Sequence, residues 1–401
     1  GIIINSVNDC RVCKSPVKIV ANFGDIYVND FPARSGEHRG QAPMVLQQCT
    51  ECDLVQMKDT VDPQILYGDH YWYESGLNPK LKQNLLDIAG YVNEHTSPGD
   101  VVLDIGANDG TLLSVIETGR FRIGCEPASN LWDKLAPHCD EMIKTMFSHL
   151  QIESDIAIHK ASAITAIGMF YDMDDPNEFI HSVEKCLADD GIFIAQLMTL
   201  APMLEMNDLG NVCHEHLEYY SYKSLVALYE RNGLEIFDLY FNDIQGGSYQ
   251  IWARKYRTGS IKHEEDISAI HNFYDSVIAR GVQLRAELQL FKNAGKKIYV
   301  YGASTKGNTM LQLWDIGNYF EGAAEIHPDK IGRFTVGTNI PIVSEQEAKE
   351  KAGEHMVNYM RWVCHWRGLG NHMDPGEELP ETKGKFCLLY TSDAADERSS
   401  V

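Results

Sequence analysis

The sequence predicts an α/β protein in which two Rossmann-like α/β domains follow a small zinc-binding domain. Three observations carry that expectation. Two Cys-x2-Cys pairs, Cys10/Cys13 and Cys49/Cys52, stand near the start. The string VVLDIGANDGTLL follows at residues 101–113, and KKIYVYGASTKGNTMLQLW at 296–314 repeats its order of apolar strand, glycine-containing loop and apolar helix. A chain of 401 residues exceeds one hydrophobic core. The expected division is a zinc-binding domain at 1–75, an α/β domain at 76–258 and a second at 259–386.

In the first segment each Cys pair suits a tight knuckle that presents two thiolates to one tetrahedral ion. The stretch between the pairs, VKIVANFGDIYVNDF and its flanks, reads as strand and loop. Four reduced thiols, or a redox-active pair, are the alternatives; two matched pairs favour a structural Zn2+. Four sulfurs leave no open coordination position, so such an ion holds the fold and does no chemistry.

The second segment opens with a helical stretch, LKQNLLDIAGYVNEH. Val101–Ile105 then reads as a strand running into a glycine turn and a helix start. Gly106 and Gly110 give D-x-G-x-N-x-G, which differs from the G-x-G-x-x-G that brings backbone against a pyrophosphate. After the strand FRIGC comes Glu126, about 20 residues on, where a carboxylate can accept from ribose hydroxyls. Loop and spaced acid together resemble the S-adenosylmethionine (SAM) pocket of class I methyltransferases, with Asp104, Gly106, Asn108 and Gly110 at the methionine end and Glu126 at the ribose. A nicotinamide cofactor and a structural turn are the competing readings.

The third segment begins with a polar linker and a long helical pattern over about 266–294. Ile298–Tyr301 then reads as a strand and Gly302–Asn308 as a loop. This is no Walker A loop, because Lys306 precedes Gly307 and Asn308 stands where the P-loop lysine belongs. A glycine-rich helix N-terminus with Ser304, Thr305 and Lys306 nonetheless suits a phosphate.

Composition narrows the partners. A formal charge of −22 argues against nucleic acid and anionic membranes. No run of about 18 apolar residues and no basic-then-apolar leader is present, so the expectation is a cytoplasmic protein, a monomer or small homo-oligomer, with a small-molecule substrate. The string CLLYTSDAADE at 387–397 resembles a translated sequencing adapter. Residues 387–401 are therefore expected to be a non-native tail outside the fold.

The stretch NVCHEHLEYYS at 211–221 concentrates Cys213, His214, Glu215 and His216. It is not H-E-x-x-H, and side chains one or two apart share no helix face, so a metalloprotease site is excluded. Taken in order, CRVC…CTEC, LYGDHYWYESG, VLDIGANDGTLL, CEPASN, CHEHLEYYS, QGGSYQ, YGASTKGNTML and GRFTVGTNIPI resemble the three-domain SAM-dependent sugar C-methyltransferases across nearly all of residues 8–386.

That resemblance implies methylation of a nucleoside-diphosphate-linked 4-keto-6-deoxysugar at the carbon beside its ketone. It implies His216 as the base, Glu215 as its acidic partner and Tyr73, or Tyr71, as a donor to the enolate oxygen. Two departures stand out: Asp172 where members carry histidine, and Cys213 where they carry tyrosine. A carboxylate and a thiol do not duplicate those donors, so Asp172 is expected to bind a sugar hydroxyl or act as a base itself. Gly246 and Gly247 are expected near the sugar, and Ser304, Lys306, Asn308 and Arg333 near the nucleotide. The rival functions are a nicotinamide-dependent oxidoreductase or epimerase-like enzyme on a nucleotide sugar, and a zinc-ribbon recruiting module.

Overall fold

The computed structural model describes residues 2, 4–67, 79–149, 160–206, 209–244, 247–352, 356–359 and 386–390. In the N-terminal part, β1 (Ile4–Ser6) pairs antiparallel with β5 (Asp59–Val61), and β2 (Val17–Tyr27), β3 (Gln41–Cys49) and β4 (Val55–Met57) form an antiparallel meander. Each Cys pair sits in a tight turn closed by a residue in the left-handed region, Lys14 at φ 64° and Asp53 at φ 66°. The second of these turns is the connection from β3 to β4.

The central sheet contains β6 (Val101–Ile105), β7 (Phe121–Cys125), β8 (Glu141–Ile143), β9 (Ala161–Ile167) and β10 (Leu187–Met198) as parallel neighbours. The chain then lays down β11 (Glu218–Tyr219) elsewhere, and returns with β12 (Leu234–Asn242) and β13 (Ser248–Lys255) as an antiparallel edge. The order is β12-β13-β10-β9-β6-β7-β8. Strand order therefore reverses between β6 and β9, and the crevice beyond their carboxyl ends is where such a sheet takes a ligand. The strand β6 is buried along its whole length, as expected for a parallel strand covered on both faces.

The third part is a parallel sheet ordered β16-β15-β14-β18-β17, from β14 (Lys297–Tyr301), β15 (Phe320–Glu325), β16 (Ile342–Ser344), β17 (Met356–Tyr359) and β18 (Phe386–Tyr390). The long helix Ile270–Asn293 packs between this sheet and the N-terminal meander. Phe23 meets Phe273 edge-on at 6.4 Å and Tyr274 at 5.6 Å. The backbone N–H of Tyr27 donates to Gln312 Oε1 at 2.9 Å. One hydrophobic core consequently joins Phe23, Leu46 and Met57 to Leu217, Phe273 and Trp314.

Three expectations need correction. The predicted helix after the Asp104 loop is only a 3-10 turn, Leu113–Val115, because Ile116 is extended and a turn at Gly119 (φ 90°) follows at once. The short β11 pairs with β4, so residues of the expected 76–258 domain complete a sheet of the first domain. The expected tail enters the fold too: Phe386–Tyr390 is a strand parallel to β14, in keeping with its apolar, β-favouring sequence FCLLY. Residues 391–401 lie outside the described residues.

Gly281 lets the long helix approach Trp314: an added Cβ would collide with the Trp314 indole ring. The Trp314 indole N–H donates to Val277 O at 3.0 Å in the same contact. Gly281→Val is expected to cost about 1–3 kcal/mol through overpacking, read as a lower midpoint in thermal or urea unfolding.

Candidate active site

At the carboxyl end of β6 the loop Gly106–Gly110 is built from left-handed residues, with φ of 71° at Gly106, 55° at Asn108 and 85° at Gly110. A Cβ on Gly106 would stand 2.8 Å from Met169 Cγ, and one on Gly110 2.9 Å from His138 Cδ2. Both N–H groups of Gly106 and Ala107 donate to Cys125 O at 2.9 Å. The carboxylate of Glu126 accepts from Asn108 N–H and Ala128 N–H, each at 2.9 Å. Each oxygen thus holds one backbone donor and keeps acceptor capacity for a hydroxyl.

Asp104 is buried, and its Oδ1 accepts from Thr165 Oγ1 at 2.7 Å. Burial raises its pKa to about 7, with the nearby charge of Glu126 adding to the rise and Thr165 opposing it. Asp104, Gly106, Asn108, Gly110 and Glu126 therefore converge on one crevice. A polar cleft of about 350 Å³ lined by Asp100, Lys160, Ser162 and Asp189 opens at the other end of the sheet and holds none of them.

The loop after β9 runs from this crevice to the stretch 211–221. Met169 covers Gly106, and the ring of Tyr171 lies edge-on to His216 at 4.3 Å. Tyr171 O accepts from Leu217 N–H at 2.9 Å, and Phe170 stacks on Tyr220 at 5.3 Å. His216 Nδ1 bonds the carbonyl of Asn211 at 2.6 Å. A carbonyl only accepts, so Nδ1 carries the proton and Nε2 has its lone pair. Burial lowers the His216 pKa to about 4; the Asn211 carbonyl works against this and the charge of Lys306 works with it.

Neighbours of His216 divide between support and site. His214 is buried with Nε2 bonded to Ala42 O at 3.0 Å, which ties the stretch to β3. Cys213 is buried beside Glu215, and burial pushes its thiol well above the usual range. Asp172 closes the 3-10 turn Phe170–Asp172. Its charge reaches Glu218, a residue to which no sequence motif assigns a role. Glu218 is 1% exposed, and burial, reinforced by Asp172 and Asp174 and opposed by Arg11, pushes its carboxyl well above the carboxylate range.

From the third part the helix Thr305–Leu313 packs against the turn Leu209–Asn211, whose last carbonyl holds His216. Its buried Lys306 is the residue whose charge reaches His216. The other nucleotide candidates have local duties. Ser304 Oγ caps the helix by accepting from Gly307 N–H at 2.9 Å. The Asn308 amide donates to Asn29 Oδ1 at 2.7 Å and Asp30 O at 3.2 Å, and Arg333 donates to Phe31 O at 3.1 Å. Gly247, at φ 129°, abuts Pro202 at the start of the helix Leu200–Met206. Tyr71, Tyr73 and Gly246 lie outside the described residues.

The four cysteines Cys10, Cys13, Cys49 and Cys52 bring their sulfurs within 4.8 Å of one another. Cys10 and Cys52 stand 3.6 Å apart, and Cys13 and Cys49 3.4 Å apart. A regular tetrahedron with Zn–S bonds of 2.3 Å needs edges of about 3.8 Å, so the donor set fits zinc in number, chemistry and spacing. No helix among the described residues is long and apolar enough to cross a membrane.

Comparison with known proteins gives two successive family matches. Residues 73–239 match the family described as a methyltransferase domain, and residues 243–386 match the C-methyltransferase C-terminal domain. The C-methyltransferase NovU of Streptomyces niveus is 26% identical over 413 residues, covering 96% of both chains. Among solved structures, the magnesium protoporphyrin IX methyltransferase ChlM of Synechocystis PCC 6803 aligns at TM-score 0.35 and 12% identity, over 44% of this chain and 83% of that one. The CcbJ methyltransferase of Streptomyces caelestis aligns at TM-score 0.36 and 15% identity, over 48% of this chain and 98% of that one. Two successive domain matches and an end-to-end relative set aside the oxidoreductase and recruiting-module readings: the chain belongs to the SAM-dependent C-methyltransferases.

Proposed function

We propose that this enzyme methylates a nucleoside-diphosphate-linked 4-keto-6-deoxysugar at the carbon next to the ketone, with His216 as the base. The observation that carries the reading is the 2.6 Å bond from His216 Nδ1 to Asn211 O. It fixes the tautomer whose Nε2 accepts a proton. A C–H bond beside a carbonyl yields its proton only where a base reaches it and the enolate oxygen is stabilised.

In this mechanism His216 Nε2 takes the C–H proton, and the electron pair of that bond shifts toward the ketone oxygen. Lys306 supplies positive charge beside the reacting sugar, and Tyr73 a hydroxyl to the enolate oxygen. When bound, SAM supplies the electrophilic methyl group. His216 afterwards releases its proton to water, which its low pKa of about 4 favours. Asp172 and Glu215 hold the sugar, and Cys213 lines its pocket together with Gly246 and Gly247. Ser304, Asn308 and Arg333 are engaged within the fold, so the C-terminal loop meets the diphosphate through Lys306 and backbone N–H groups. The four-cysteine cluster holds a structural Zn2+ that pins the β3–β4 turn.

Three measurements test this reading. With SAM and a panel of keto-deoxysugar nucleotides in D2O, the ring hydrogen beside the ketone should be exchanged or replaced by methyl. His216→Ala should slow this about 100-fold or more; a near-normal rate would move the base to Asp172.

Asp104, with its pKa of about 7 in the ligand-free protein, must be ionised to hold the ammonium of SAM. Binding an ammonium lowers that pKa, so SAM affinity should rise as pH increases from about 5.5 to 7, below the range in which the SAM amine loses its own proton, with proton release seen by calorimetry in buffers of different ionisation enthalpy.

Metal analysis should find one zinc per chain, and Cys49→Ser should lose both the metal and several degrees of thermal stability. Full stability without metal would refute the structural role.

A further inference from the structure

The C-terminal loop makes the same two kinds of strand contact as the SAM loop, with the bond to the acid one residue earlier in the loop. At β6, Gly106 N–H donates to Cys125 O at 2.9 Å, and the next residue along β7, Glu126, accepts from a loop N–H, that of Asn108. At β14, Gly302 N–H donates to Ala324 O at 2.7 Å, and the next residue along β15, Glu325, accepts through Oε2 from Ala303 N–H at 3.1 Å. Gly302, like Gly106, is left-handed, at φ 97°. In both sheets the acid stands at the carboxyl end of the second strand, just past β7 for Glu126 and last in β15 for Glu325, about 20 residues beyond the loop glycine, where α/β domains of this kind present a carboxylate to a ribose. The carboxylate is 4% exposed, so it lies against the loop and not in bulk water.

What surrounds the second loop suits the rest of a nucleotide. Strand order reverses at β14, between β15 and β18, so the crevice opens beside the loop. Unlike the SAM loop, this one runs into a capped helix, Thr305–Leu313, which offers backbone N–H groups to phosphate. The buried cation Lys306 stands in its first turn, and its charge is felt at His216. A diphosphate at this turn would therefore bridge a nucleoside over β15 to a sugar at His216.

We propose that Glu325 is the pentose-recognising residue for the substrate's nucleoside, accepting hydrogen bonds from its hydroxyl groups as the loop Gly302–Lys306 holds the diphosphate. This deepens the nucleotide-sugar reading above and rests on it. Charge-assisted acceptance from a hydroxyl is a directional contact, so recognition should depend on the hydroxyls themselves.

The test is calorimetric, on the full chain saturated with S-adenosylhomocysteine. The diphosphates of uridine, thymidine, guanosine and cytidine identify the tightest nucleoside, and its 2′,3′-dideoxy form is then compared with it. The dideoxy form should bind about 10-fold more weakly or worse, the scale of one charge-assisted hydrogen bond. Glu325→Ala should weaken the parent nucleotide to the dideoxy level and leave SAM affinity unchanged. Glu325→Gln, which can still accept from Ala303 N–H, guards against loss of the loop; it should keep SAM binding and part of the discrimination. Equal binding of parent and dideoxy forms, wild-type nucleotide affinity in both variants, or no nucleotide binding at all would overturn the proposal. Methyl transfer without hydroxyl discrimination sinks this inference alone, and discrimination without transfer to any keto sugar sinks the substrate reading alone.

Discussion

The pairing of β11 with β4 is the contact on which the site depends. Two residues, Glu218 and Tyr219, leave the central domain and hydrogen-bond to Gln56 and Val55. His216 stands just before them, and Met57 N–H reaches back to Leu217 O at 2.8 Å. The β4 strand is itself set by the Cys49–Cys52 turn, so the cysteine cluster fixes the candidate base through one hairpin. On its other side the same stretch is zipped to the loop after β9 by Leu217 N–H to Tyr171 O and by two ring contacts. A histidine held from both sides can be buried with one tautomer, which a mobile loop could not ensure.

Burial then sets the electrostatics around that pairing. Arg11 is almost fully buried and donates to Thr60 Oγ1 at 2.9 Å, and both reach Asp174. Glu218 closes this group from β11. Burial disfavours the charged form of a carboxylate, and it raises the Glu218 pKa well above the usual range against the opposing charge of Arg11. Arg11 thus sits among the acidic groups Asp172, Asp174 and Glu218 in a protein of formal charge −22.

Local features were legible in the sequence because they need only a few adjacent residues. The Cys pairs, the Asp104 loop, the spaced Glu126, and the strands Val101–Ile105 and Phe121–Cys125 all read directly from periodicity and turn chemistry. What depended on tertiary partners did not. Nothing in LEYY announces a strand for another domain's sheet, because two residues carry no period. Lys306 reads as a phosphate ligand from its loop, and only the packing of its helix on Leu209–Asn211 brings it to His216. Ser304 looked like a ligand and is a cap, the commoner duty of a serine before a helix. Glu325 follows Gly302 at nearly the spacing by which Glu126 follows Gly106, but Ser304, Thr305 and Lys306 in that loop point first to phosphate.

The excursion of β11 also bears on how such enzymes can be recombined. Exchanging a methyl-transfer domain between relatives by cutting near residue 75 would leave the incoming strand to meet a foreign β4. The resulting chimera would disturb the core that joins Leu46 and Met57 to Leu217 and would set its histidine on a mismatched seam. The N-terminal part is thus shared by both its neighbours: β4 takes a strand from the central part, and Phe23, Tyr27 and Asn29 contact Phe273, Gln312 and Asn308 of the third, so the three parts are one unit of inheritance.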